Sequence, residues 1–296
     1  MSGPATLGET RIGPRVFRWG TRTYVMGILN VTPDSFSGDG LLSAGAEGAA
    51  VADKDGSPAA DGVAAAVAQA RAMAAEGADL LDVGGESTRP GHAPVDADEE
   101  LRRVIPVVRA VRDALPDMPL TIDTTKHPVA KAALDAGADA INDVWGVSED
   151  DALSRLAAER RVPIVLMHNR AEPRYNDLMP EILADLQRAI DRAIAAGVPA
   201  AAILVDPGFG FGKTPEQNLV LLRELGTLRH LGRPILLGAS RKSTLGMILD
   251  LPPGERVEAT LATTVLGIAA GVDLVRVHDV RANVRAARIA DAVVRG

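Results

Sequence analysis

A chain of 296 residues that is 47% hydrophobic can bury one large core, and α/β barrels reach this length as a single unit. The formal net charge of -7, with both signs interspersed, excludes the clustered basic face that nucleic acid or an anionic membrane requires. With no cysteine there are no disulfides, thiolate nucleophiles or sulfur-ligated metals, and the five histidines are too scattered for paired metal ligation.

In chain order, residues 16–19, Gly20 and residues 21–25 read as a short hairpin with the glycine at its turn, capping one end of the fold. Arg11, Arg15, Arg18 and Arg22 adjoin no apolar run of the kind a signal peptide needs, and no stretch approaches membrane-spanning length. The expected location is cytoplasmic. An apolar strand at 25–29 is followed by a segment of small and charged residues, 45–62, that reads as a flexible insertion. Further strands at 80–83, 120–122, 140–141, 163–167, 203–205, 235–237 and 274–277 alternate with helical stretches, which makes eight strands. The plainest helix puts Leu101, Val104, Ile105, Val108 and Val111 on one face, with Pro106 expected to kink it. Thr214, Pro215 and Gln217 spell a capping box, so another helix begins directly after the glycine-rich segment 206–213.

Continuously apolar strands separated by helices predict a parallel sheet buried on both faces. The expected fold is α/β, a single TIM (β/α)8 barrel with an N-terminal β-hairpin cap, residues 1–23 forming the arm and hairpin and 24–296 the barrel. A doubly wound open sheet would gather its functional groups at one switch point. Here polar residues stop one strand after another: Asn30, Asp123, Asn142, Asp206, Ser240, and the Arg276 and His278 pair.

The segment DPGFGFGKT at 206–214 is neither a dinucleotide fingerprint, since its third glycine arrives one residue early, nor a phosphate loop, since Pro207 stands where the leading glycine belongs. Its carboxylate is the informative group. An ionised aspartate at the end of a buried strand is costly unless something pairs with it. Asp206 and Asp123 together with Asn142 therefore point to a flat polar ligand at the barrel mouth. Residues 84–91, GGESTRPG, follow a strand and read either as a solvated loop or as part of that site. Arg241 and Lys242 after strand seven, with Arg276 and His278 on strand eight, suit phosphate binding at this face.

Taken together, MGILNVTPDSFS at 26–37, DVGGESTRPG at 82–91, IDT at 122–124, Asn142 with Asp143, the 206–213 loop, GASRK at 238–242 and RVHD at 276–279 resemble the dihydropteroate synthase family. The likeness covers the chain from Tyr24 onward, apart from the insertion. It implies a transferase of folate biosynthesis that joins 6-hydroxymethyl-7,8-dihydropterin pyrophosphate to p-aminobenzoate. By that resemblance Asp123, Asn142, Met167, Asp206 and Lys242 hold the pterin, and Asn30, Arg276 and His278 grip the pyrophosphate. Mg²⁺ is held mainly by substrate oxygens, with Asn30 as the protein's ligand. Asp123, Lys242, Arg276 and His278 are the expected catalytic groups. Phe36, Thr88, Arg89, Pro90, Phe211 and Ser243 form the p-aminobenzoate pocket with the loops at 32–40 and 86–91. A homodimer is the family expectation, and the small-residue helix at 259–271 offers a close-packing face. The chain departs from the family at the permuted SGDG of 37–40, at Trp145 and at the insertion. Two rivals remain: a pterin-binding barrel methyltransferase using methyltetrahydrofolate, which needs neither the 88–90 loop nor the Arg276 and His278 anion site, and a paralogue that binds pterin without catalysis.

Overall fold

The computed structural model describes residues 7–31, 60–86 and 95–296. A two-stranded hairpin comes first, β1 (Glu9–Ile12) paired antiparallel with β2 (Arg15–Arg18). The sequence reading put the turn at Gly20; it lies instead at Gly13 and Pro14, because Ile12 pairs with Arg15. Gly13 is required there twice over. Its φ is 55°, and a Cβ would meet the Asp139 carboxylate at 2.5 Å. Gly20, φ 81°, turns the chain out of the hairpin, and the residues read as its second strand supply the start of the barrel.

The barrel has eight parallel strands: β3 (Tyr24–Asn30), β4 (Leu80–Gly84), β5 (Leu120–Asp123), β6 (Ala140–Asp143), β7 (Ile164–Met167), β8 (Ile203–Asp206), β9 (Leu236–Leu237) and β10 (Leu274–Val277). They pair in the order β8-β7-β6-β5-β4-β3-β10-β9. The two ends of that ribbon meet where Val205 bridges Ile235 and the Val205 N–H donates to the Pro234 carbonyl at 3.0 Å, so the sheet closes on itself. Among the described residues the outer ring comprises α1 (Ala60–Glu76), α2 (Ala97–Ala114), α3 (His127–Ala136), α4 (Ala152–Arg160), α5 (Leu178–Ala195), α6 (Pro215–Arg223), α7 (Ser243–Leu249), α8 (Val257–Ala270) and α9 (Val280–Val294). The last three residues of the expected insertion are the first of α1; residues 45–59 lie outside the described residues. None of these helices is long and apolar enough to cross a membrane.

Helix α2 runs uninterrupted through Pro106. Asp96 caps it by accepting from the Glu99 N–H at 2.8 Å, three acidic residues complement its N-terminus, and Val104, Val107, Val108 and Val111 form the buried face. The capping box of α6 forms as spelled in the sequence: Thr214 Oγ1 accepts from the Gln217 N–H at 3.2 Å, and Gln217 Oε1 accepts from the Thr214 N–H at 2.8 Å. Replacing Thr214 with alanine should lower the unfolding free energy by about 1 kcal/mol in a urea melt. A change below a few tenths would mean the box contributes nothing here.

Side-chain alternation stacks the barrel interior in layers. Met26, Leu80, Ala140, Val165, Leu204, Leu236 and Leu274 make an apolar floor, closed from below by Ile12, Phe17, Trp19 and Tyr24. The three aromatic rings pack with centroids 4.8 to 5.6 Å apart, and Trp19 Nε1 donates to Thr10 Oγ1 at 2.8 Å. The hairpin thus plugs the barrel's N-terminal end. Two residues further along the strands, the next inward layer is Ile28, Asp82, Asn142, Met167, Asp206, Gly238 and Arg276.

Candidate functional site

Asp82, fully buried on β4, is the hub of that layer. Its carboxylate accepts from Thr121 Oγ1, from Asn142 Nδ2 at 3.0 Å and from Arg276 Nε at 2.5 Å. Arg276 Nη2 also donates to Asp123 Oδ2 at 2.7 Å, so one guanidinium reaching across from β10 bridges carboxylates on two neighbouring strands. Burial works against the Arg276 charge, but Asp82 and Asp123 outweigh it and hold its pKa above the usual value. Burial acts the other way on Asp123. Despite the pull of Arg276, desolvation with a push from Asp82 lifts that carboxyl to about 7. Two of the three Arg276 nitrogens that the sequence reading aimed at pyrophosphate are therefore committed to carboxylates.

Asp206 ends β8 with Oδ1 accepting from the Gly208 N–H at 2.6 Å. Burial raises its pKa to about 6, against the stabilising Gly208 N–H and the charges of Lys242, Lys213 and Arg276. The Lys242 charge acts on both Asp123 and Asp206, and its Nζ stands 3.7 Å from the centre of the Phe211 ring, a cation–π contact. A Cβ on Gly238 would lie 3.7 Å from Asp206 Oδ2 and 3.9 Å from Arg276 Cβ, so a bare backbone separates these two groups. Met167 pairs in register with Asp206 and is buried, adding an apolar wall. Asp123, Asn142, Asp206, Lys242 and Arg276 thus share one neighbourhood at the C-terminal mouth of the barrel.

Around this centre, Asn30 closes β3, half-buried, opposite Gly84. His278 follows β10 and is locked to the loop after β9: its Nδ1 lies 3.0 Å from Ser240 Oγ, which also accepts from the His278 N–H at 3.1 Å. Ser243 is exposed at the first position of α7, directly after Lys242 at the N-cap. Arg241, read from the sequence as one of two cations for an anion, is instead paired with Asp279 through Nη2 at 2.8 Å and Nε at 3.1 Å. Trp145 stands exposed, its N–H donating to Asp143 Oδ1 at 2.9 Å. Phe36, Thr88, Arg89 and Pro90, with the loop at 32–40, lie outside the described residues.

The sequence reading passed over Asp82, Thr121, Lys126, His168 and the inward role of Lys213. Asp82 carried a signal, a charged residue inside a strand read as apolar and two positions on from inward-facing Leu80. Lys126 pairs with both Glu86 and Glu100, the latter at 2.6 Å, while Glu86 Oε1 accepts from the Val95 N–H at 3.2 Å. Nothing in the local sequence marks that cluster, because its members come from three separate segments.

A barrel that lines its C-terminal mouth with buried carboxylates, an amide and two cations matches the model of pterin binding enzymes over residues 26–278. The chain belongs to that family. It is 48% identical over 286 residues to dihydropteroate synthase of Clostridium beijerinckii, covering 96% of this chain and 99% of the relative, and 44% identical over 292 residues to that of Bacillus subtilis, covering 98% and 96%. Among solved structures, dihydropteroate synthase from Clostridium difficile in the presence of pteroic acid superposes with a TM-score of 0.85 at 46% identity, covering 95% of this chain and all of that one. The Xanthomonas albilineans enzyme with 4-aminobenzoic acid gives 0.84 at 41%, covering 99% and 98%. Within the pterin binding enzymes, the chain is a member of the dihydropteroate synthases.

Proposed function

We propose that the protein condenses 6-hydroxymethyl-7,8-dihydropterin pyrophosphate with p-aminobenzoate to give 7,8-dihydropteroate and pyrophosphate. The observation that carries this reading is the meeting of Asp123, Asn142, Asp206, Lys242 and Arg276 in one buried mouth. The 2-amino and N3–H edge of a pterin is a flat pair of donors. A rigid carboxylate such as Asp206 accepts both, as it would from an arginine fork. Asn142 spends its amide N–H on Asp82, which turns its carbonyl oxygen to ligand use, and Lys242 donates to the acceptor side of the ring.

The chemistry breaks the carbon–oxygen bond of the pterin methylene. The electron pair leaves with pyrophosphate, the ring shares the positive charge, the aromatic amine forms the new carbon–nitrogen bond, and it then sheds a proton. Such a reaction calls on the protein for charge stabilisation rather than covalent help. Asp123 faces the cation, while Arg276, His278 and Asn30 receive the leaving anion. Phe211, held against Lys242, and Ser243 border the p-aminobenzoate side.

Among the described residues no three acidic or histidine side chains gather into a metal cage. The amide oxygen of Asn30 at the strand end fits a Mg²⁺ that keeps most of its oxygen ligands from pyrophosphate and water. Such an ion would neutralise the leaving group's charge. A cytoplasmic location and a homodimer are part of the same proposal, supported by the acidic, cysteine-free composition and by the family.

In a coupled assay, pyrophosphate release should require both the pterin substrate and p-aminobenzoate, fall to background with EDTA and return with Mg²⁺. Pterin binding without dihydropteroate after prolonged incubation would instead identify a non-catalytic binder. Turnover unaffected by EDTA would remove the metal from the reading.

A further inference from the structure

The glycine-rich loop after β8 braces two of the groups that meet the pterin, Asp206 and Lys242, yet few of its own side chains can hold it in place. Gly208 anchors Asp206 through its N–H, and Phe211 carries the ring against which Lys242 rests. Gly208, Gly210 and Gly212 all have positive φ, so the backbone has many alternative conformations to lose. What fixes it is a set of contacts below the loop that neither the sequence reading nor the chemistry above has used.

Lys213 folds back under its own loop. Its Nζ lies 3.0 Å from the Gly208 carbonyl, 3.0 Å from the Phe211 carbonyl and 3.1 Å from His168 Nδ1. Burial lowers the Lys213 pKa to about 7, against the pull of Asp206; in its ammonium form the group has three donors and no acceptor, so these three partners use all of them. His168 must then present Nδ1 as a lone pair and carry its proton on Nε2, which faces Asp185 Oδ2 on α5 at 3.2 Å. Burial, with the nearby Lys213 charge, keeps His168 neutral, its pKa down at about 3. Asp185 is itself held by Arg170 at 2.8 Å, and the Arg170 guanidinium lies 4.4 Å from the centre of the Tyr175 ring, whose hydroxyl donates to the Gly212 carbonyl at 2.9 Å. The loop is pressed onto this platform. A Cβ on Gly208 would sit 1.8 Å from the His168 carbonyl oxygen, and one on Gly212 would sit 2.3 Å from the Arg170 carbonyl oxygen.

We propose that Lys213 is a positioning residue for pterin recognition, a three-way tie between the Gly208 and Phe211 carbonyls and His168 that sets where Asp206 and the Phe211 ring stand. It touches no substrate. Its effect on pterin affinity reaches the ligand through the Gly208 N–H on Asp206, while the Phe211 ring it places borders the p-aminobenzoate side. The proposal rests on Asp206 being the pterin's acceptor, as argued above.

The test is a double-mutant cycle read as the Kd of a bare pterin, 6-hydroxymethylpterin, by calorimetry, with thermal melts alongside. Lys213→Met keeps the chain length and removes all three donors; it should weaken binding about tenfold. Asp206→Asn should weaken it by fiftyfold or more, and the double variant should bind about as weakly as Asp206→Asn alone. Equal, additive losses in both backgrounds, or an unchanged Kd in Lys213→Met, would overturn the proposal, because a residue needed only for stability lowers the melting temperature without coupling to Asp206. If Asp206→Asn itself leaves the Kd unchanged, the pterin-acceptor reading falls and this inference falls with it, a result distinguishable from failure of Lys213 alone. Should Lys213→Met not fold, His168→Phe keeps the ammonium and the ring but removes the third partner. It should weaken pterin binding severalfold in wild type and not in the Asp206→Asn background; no weakening would overturn the tie.

Discussion

Asp82→Ala should cost about 3–5 kcal/mol of unfolding free energy and reduce turnover to near background, although Asp82 is assigned no contact with either substrate. The substitution removes the acceptor for three donors at once, Thr121 Oγ1, Asn142 Nδ2 and Arg276 Nε, in a layer sealed from below by the apolar floor and the hairpin. A buried guanidinium that loses one of two carboxylates must turn, draw in water or pull Asp123 out of place. Each of these disturbs the group that faces the developing cation. Urea melts measure the first effect and the coupled assay the second. Asp82→Asn separates charge from shape. The Asp82 charge is one reason Asp123 titrates near 7, so this variant should move the acidic limb of the kcat/KM profile to lower pH. A loss under 1 kcal/mol with normal turnover would show that the three bonds to Asp82 carry no weight.

Much of this arrangement was legible from the chain, and the remainder was hidden for identifiable reasons. All eight barrel strands and the α6 capping box were marked by local pattern, because strand burial and helix capping are decided within a few residues. Asp123, Asn142 and Asp206 were found because each stops an apolar run. The bonds that Arg276 makes were not, since its partners lie 194 and 153 residues away and only barrel closure brings them together. Arg241 was misread for a similar reason: its partner Asp279 sits across the β9 and β10 mouth, 38 residues further on. The hairpin register went wrong between two glycines of similar turn potential. What decided it was tertiary, the Asp139 carboxylate packed against Gly13. Lys213 received no role once the phosphate-loop reading of 206–214 was rejected, and its tie to His168, 45 residues away, exists only in the folded barrel.

Asp206→Asn should raise the Kd for pterin by about fiftyfold or more, a loss of at least about 2.3 kcal/mol, without lowering the protein's stability at neutral pH. The affinity term follows from donor and acceptor count. A carboxylate offers two oxygens to the two pterin donors, whereas a carboxamide offers one oxygen and turns an N–H toward the other donor. The stability term follows from burial. Asp206 has a native pKa of about 6, above the ordinary carboxylate value of 3.8, so the native state binds a proton more tightly than the unfolded chain. Its favourable contribution is therefore present at low pH and is lost as pH rises through about 6. At pH 7.5 the free protein carries the full cost of an ionised, desolvated carboxylate, and a neutral asparagine that still accepts from the Gly208 N–H avoids it. Asp206→Asn should melt at or above the wild-type temperature at pH 7.5 while having lost its ligand. Pterin binding needs the ionised form of Asp206, so this group should make the wild-type Kd rise about tenfold per unit below pH 6, beyond any effect of Asp123 titrating near 7, and that part of the dependence should disappear in the asparagine variant. Melting well below wild type, or a Kd that keeps its wild-type pH dependence after the substitution, would refute the assignment of Asp206 as the pterin's acceptor.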